Sequence, residues 1–175
     1  MKQLSIVFML LLLFTACSKE ELKLTPEYPN MVKNGGFEDP IMSLDYWQFD
    51  GEGVITLSED EVFSGDYSMK VVPSECMEIV YNEDLPVELE ATYELTFYTK
   101  ISELTQNCIT DFYLFLKQDE SIVFEMNISA SESPEWTRKV AYIKTEQSAP
   151  MQLHIFTGNA SILIDDIKFR RIQEL

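Results

Sequence analysis

The sequence predicts an all-β fold, a jelly roll or sandwich of short strands, on three observations. Apolar and polar residues alternate in short windows throughout the chain. No window sustains the i, i+3, i+4, i+7 apolar stripe of a helix. Prolines at 40, 73, 86, 134 and 150 punctuate the run, and proline brings no N–H to a strand ladder. Many short strands at regular spacing, with turns between them, are the pattern of a sandwich or jelly roll.

Residues 1–16 read as a signal segment. Lys2 supplies a positive start, and the apolar run of residues 6–14 is too short to span a bilayer comfortably. The run ends Phe14-Thr15-Ala16-Cys17, which resembles the lipobox of bacterial lipoproteins. That resemblance implies cleavage before Cys17 and lipid attachment there, with each buried CH₂ adding about 0.8 kcal/mol of anchoring. Ser18-Lys19-Glu20-Glu21 resembles a surface-export signal of some Gram-negative lipoproteins and reads equally as a solvated tether. Residues 22–29 hold two prolines and no clear period, which makes a spacer. The expected organisation is therefore a signal peptide over 1–16, a lipidated tether over 17–29 and one domain over 30–175. The expected location is the outer membrane, anchored at Cys17.

The domain opens on Asn34-Gly35-Gly36-Phe37-Glu38-Asp39-Pro40, a bent segment leading into strands. Strands are predicted over 54–57, 67–72, 76–81, 93–100, 112–117, 122–128, 140–143, 151–156 and 162–169. Glu59-Asp60-Glu61 forms a charged turn and Ser64-Gly65 a second turn. Three of these strands place aromatic rings on the face away from the core. If Tyr93, Leu95 and Phe97 point inward, then Tyr98 and Lys100 point outward. By the same parity Tyr113, Phe115 and Lys117 are outward beside inward Phe112, Leu114 and Leu116. His154 and Phe156 are outward beside inward Met151, Leu153 and Ile155. Trp47 and Trp136 read as core or rim packing.

Composition excludes several classes. The formal charge is −17, from 13 basic and 30 acidic residues. That is unsuited to nucleic acid or to docking on anionic lipid through a basic face. His154 is the single histidine, which argues against a histidine-based triad or multi-histidine metal site. Cys17, Cys76 and Cys108 show no CxxC spacing. Cys76 and Cys108 are either a disulfide or two buried thiols. No spacing among the carboxylates picks out an acid and a base, so no enzyme is predicted.

Asn34-Gly35-Gly36-Phe37-Glu38, Trp47 and Ser64-Gly65-Asp66-Tyr67-Ser68-Met69-Lys70-Val71 resemble the opening of carbohydrate-binding modules of the family 4/9 type. Ala91 to Lys100 resembles their central strand, Trp136-Thr137-Arg138 a later strand entry, and Ile162 to Ile167 their closing strand. The likeness runs over about residues 30–172, in the family's order; Ala91 stands where the family has glycine. It implies a galactose-binding-like jelly roll that binds poly- or oligosaccharide without catalysis. It also implies a structural calcium joining the opening segment to the last strand, at Glu38, Gly36, Asp165 and Asp166. Parity agrees for Asp165, because Leu163, Asp165, Ile167 and Phe169 alternate together, and a core-facing carboxylate needs a partner. Rings beside polar groups suit sugar, whose C–H faces stack on aromatics. The expected ligand-binding residues are Tyr98, Tyr113, Phe115, His154 and Lys100. The alternative is a structural or adhesive surface protein that binds protein partners through the same sandwich.

Overall fold

The computed structural model describes residues 28–41, 44–104, 112–129, 134–158 and 160–172. The signal segment, Cys17 and Cys108 lie outside them. The described residues hold eight strands: β1 (Trp47–Ser58), β2 (Ser68–Tyr81), β3 (Thr92–Leu104), β4 (Phe112–Gln118), β5 (Ser121–Ile128), β6 (Thr137–Lys144), β7 (Gln152–Thr157) and β8 (Ala160–Ile172). They hydrogen-bond in the order β5-β4-β7-β2-β8-β3-β6, with β1 on β2, and every pairing is antiparallel.

β2 belongs to both layers of the sandwich. Its Met77–Val80 stretch pairs with β7, and its Met69–Val71 stretch pairs with β8. β1 follows the other edge of β2 through both halves, with a register shift between Gly51 and Gly53. One layer is therefore β5-β4-β7 with the ends of β2 and β1 near Tyr81 and Trp47. The other is β6-β3-β8 with their opposite ends. Strands that switch layers through a bulge form the corner of such a fold. Gly51 makes the corner possible: its φ is +114°, and a Cβ there would stand 2.5 Å from the Cys76 carbonyl oxygen.

The sequence predicts separate strands over 67–72 and 76–81, broken at Pro73, whereas β2 runs through both. Pro73 lies at the register shift, opposite Gly53, where its missing N–H costs little pairing. β1 also begins well before the expected 54–57. Its first half is an exposed edge with little apolar alternation to reveal it. Cys76 is disulfide-bonded.

The core lies between the layers. Met69, Val71, Met77, Ile79 and Tyr81 enter it from β2, Tyr93, Leu95 and Phe97 from β3, Phe112, Leu114 and Leu116 from β4, and Leu153 and Ile155 from β7. Tyr93 and Phe169 stack at 5.0 Å between centroids. Trp47 is buried against Phe37 and Tyr81, at 6.1 and 5.2 Å.

The parity expected for β8 does not hold. Between Thr96↔Lys168 and Tyr98↔Asp165 the last strand carries an extra residue, and Asp166 has a φ of +50°. Through this bulge Ile162, Ile164, Ile167 and Phe169 all reach the core, while Asp165 turns to the opposite face beside Tyr98. The opening segment does lie along β8. The Met31 N–H donates to the Phe169 carbonyl at 2.8 Å, and the Ile167 N–H donates to the Gly35 carbonyl at 2.8 Å.

Candidate functional site

The two outer faces of the sandwich differ in what covers them. Over the β8-β3-β6 layer lies the segment between β1 and β2. The Phe63 ring is stacked on Tyr98 with centroids 3.4 Å apart, and Trp136 meets Phe63 edge-on at 6.1 Å. Lys100 Nζ is paired with Glu61 at 2.9 Å. Tyr98 and Lys100, expected to bind ligand, are thus occupied within the chain.

Asp165, fully buried, fastens the same segment. Its Oδ2 accepts the Phe63 and Ser64 N–H groups at 3.0 and 2.9 Å, and its Oδ1 accepts the Asp166 N–H at 2.6 Å. Burial raises its pKa, and those N–H groups oppose the rise. Glu38 holds the far end, accepting the Asp66 and Tyr67 N–H groups at 2.9 and 3.3 Å. Asp166 is paired with Lys168 at 2.7 Å. Gly36 stands in the opening turn, its β-position facing the Glu38 side chain.

Glu38 and Asp165 are held in this arrangement by backbone N–H groups. Among the described residues no three His, Cys, Asp or Glu side chains gather as metal ligands. Amide donors fasten the opening segment, the loop and β8 together. Asp165→Ala would orphan three N–H groups, and it is expected to cost about 3 kcal/mol or more in urea-induced unfolding.

Among the described residues nothing covers the other outer face, across β5-β4-β7-β2-β1. Register places its residues in rows. Asn127, Tyr113, Phe156, Glu78 and Asp50 run across it in one row. Glu125, Phe115, His154, Val80 and Gln48 form the next. Ile122, Lys117 and Gln152 follow. Tyr113, Phe115, Phe156, Ile122 and Glu125 line a hollow of about 360 Å³. Tyr113 and Phe156 are half-buried, so their rings are available; Phe115 is buried and forms the floor.

Polar groups converge beside the rings. His154 Nδ1 lies 2.8 Å from Glu78 Oε1, and Lys117 Nζ lies 3.6 Å from the same oxygen. His154 stacks on Phe115 at 5.0 Å, and Lys117 sits over that ring at 5.2 Å. A carboxylate only accepts, so Nδ1 carries the hydrogen and Nε2 is the bare, buried acceptor. Burial lowers the His154 pKa, Glu78 opposes this and Lys117 adds to it, so the imidazole is neutral at pH 7.

The pH consequence has a definite sign. Below the 6.5 of a free imidazole, the unfolded chain binds a proton that the folded chain resists. Stability contributed by the neutral ring is present above that pH and lost in acid. Melting temperatures between about pH 7.5 and 5 should fall less for His154→Phe than for the native chain. Asp165 works in the opposite sense: its raised pKa favours the protonated form, from its ordinary 3.8 upward.

Three of the expected ligand residues, Tyr113, Phe115 and His154, therefore share the open face, while Tyr98 and Lys100 stand on the other. Sequence reasoning left Phe156, Glu78, Glu125, Ile122 and Lys117 out of the site. Outward parity already marked Phe156 and Lys117. Nothing local marks Glu78, which joins them only because β2 pairs with β7.

Comparison with solved structures finds the same fold at low identity. "Family 16 Carbohydrate Binding Module-2" aligns over 80% of this chain and 99% of its own, at 15% identity and a TM-score of 0.62. The CBM22-1 xylan-binding domain from Paenibacillus barcinonensis Xyn10C aligns over 86% and 99%, at 14% identity and a TM-score of 0.58. TmCBM61 in complex with β-1,4-galactotriose aligns over 82% and 99%, at 16% identity and a TM-score of 0.58. No curated protein matches the chain. The family model described as a carbohydrate binding domain, of the 4/9 type, matches residues 29–161. With that span matched and the jelly-roll sandwich in place, this chain belongs to the 4/9-type carbohydrate-binding domain family.

Proposed function

We propose that the chain is a lipid-anchored, non-catalytic module that holds poly- or oligosaccharide at the cell envelope, with β5-β4-β7-β2-β1 as its binding face. One observation carries this reading: half-buried Tyr113 and Phe156 are cross-strand neighbours on an open face, with Glu78 and Glu125 beside them. Rings accept the C–H faces of a sugar, and fixed carboxylates accept its hydroxyls. Similar modules bear the names of xylan and galactotriose as ligands, which supports a glycan without choosing one. A glycan array probed with the recombinant chain tests the reading; no binding to any glycan would sink it.

The anchor is read from Phe14-Thr15-Ala16-Cys17 behind its apolar run. Cells fed an alkyne fatty acid should label the native chain in the outer-membrane fraction. Cys17→Ala should lose both the label and the membrane association. The second reading, adhesion to a protein partner, is favoured by β5. Among the described residues it pairs on one side only, and it exposes Ile122 and Val123 at 52% and 42%.

A further inference from the structure

Glu78 stands at the centre of the open face, one strand from Phe156 and two from Tyr113. Oε1 takes both protein contacts, from His154 Nδ1 at 2.8 Å and Lys117 Nζ at 3.6 Å. Oε2 takes no hydrogen bond from the described residues, and the side chain is 34% exposed. His154 is a rigid holder: its side chain is 7% exposed and lies flat on Phe115. One carboxylate oxygen is thus tied down and the other is presented to whatever enters.

The charges around it are unbalanced. Asp50 lies directly across from Glu78 on β1, and Glu125 faces the hollow from β5. Lys117 is already spent on Glu78, and His154 brings a neutral N–H. Among the described residues three carboxylates therefore meet one lysine on this face.

We infer that Glu78, positioned by His154 and Lys117, is the specificity-determining acceptor of this face, selecting neutral hydroxyl-bearing glycans over glycans that carry uronate groups. A sugar hydroxyl donates to Oε2. A uronate carboxylate has no hydrogen to donate and meets like charge in a partly desolvated hollow. Discrimination on this basis is worth roughly tenfold for one charge at groove distances. The inference rests on the glycan reading above.

The test compares matched probes on the full chain. Hexasaccharides of β-1,4-linked glucose, mannose and galactose are titrated alongside the same chains oxidised to uronates at C6. The native chain should bind at least one neutral series and bind its uronate counterpart at least tenfold more weakly. Glu78→Gln keeps the shape but removes the charge, and it should narrow that ratio roughly tenfold. His154→Phe keeps the stack on Phe115 and frees Glu78, and it should weaken neutral binding several-fold. Both probes are read on one sample, so the ratio does not depend on the fraction folded. A ratio unchanged in Glu78→Gln, or native preference for the uronates, overturns the inference and leaves glycan binding standing. Binding to neither series overturns the inference, and absence of binding across the whole glycan array overturns the reading beneath it.

Discussion

Gly35→Ala is expected to destabilise the domain by roughly 3–5 kcal/mol. A Cβ at this position would stand 2.1 Å from the Ile167 carbonyl oxygen and 3.0 Å from its carbon. Neither is the end of a side chain that could swing aside. Relief requires the opening segment to leave β8, and that segment carries a dense set of bonds. Asn30 Nδ2 donates to the Ile167 carbonyl at 2.9 Å, and the Phe169 N–H donates to Asn30 Oδ1 at 2.9 Å. The Ile167 N–H to Gly35 carbonyl bond would go as well. Val32 and Phe37, both buried, would leave the core with the segment. Gly36→Ala is the control. Its Cβ would meet only the Glu38 Cγ, at 3.8 Å, so its cost should stay within about 1 kcal/mol. Urea denaturation of the two variants side by side separates a steric cause from a general sensitivity of the turn.

Tyr113→Ala and Phe156→Ala are each expected to weaken glycan binding about 10- to 100-fold without unfolding the domain, as removal of a stacking ring does. Their rings are half-buried and line the hollow. Tyr98→Ala should leave the dissociation constant within about twofold and lower the melting temperature instead, because it strips Phe63 of its stacking partner. Calorimetric titration with a glycan found on the array, together with thermal unfolding of each variant, reads both quantities. Equal losses of binding at Tyr98 and Tyr113 would contradict the assignment of one open face.

The contrast between Tyr98 and Tyr113 shows how far local pattern reaches. Alternation along a strand tells inward from outward, and it did so for both residues. It carries no information on which layer the strand joins. β3 pairs with β8 and β6, while β4 pairs with β7 and β5, so the two outward tyrosines look away from one another. Asp165 is a related case. Counting by twos across Leu163, Asp165 and Ile167 puts the carboxylate in the core. The bulge at Asp166 reverses the count, and no apolar pattern announces a bulge.

The sequence by itself determined an all-β class, most strand positions, the inward rows of β3, β4 and β7, and the opening and closing motifs of the family. These follow from backbone pleat and from the turn chemistry of glycine and proline, which act over a few residues. Tertiary structure decided that β2 crosses between layers, that Phe63 and Glu61 cover Tyr98 and Lys100, and that Glu38 and Asp165 bind amides. It also decided that Glu78 meets His154, 76 positions away. Each of these rests on pairing between strands distant in the chain, where register and burial of the whole sheet, rather than local preference, set which side chains meet.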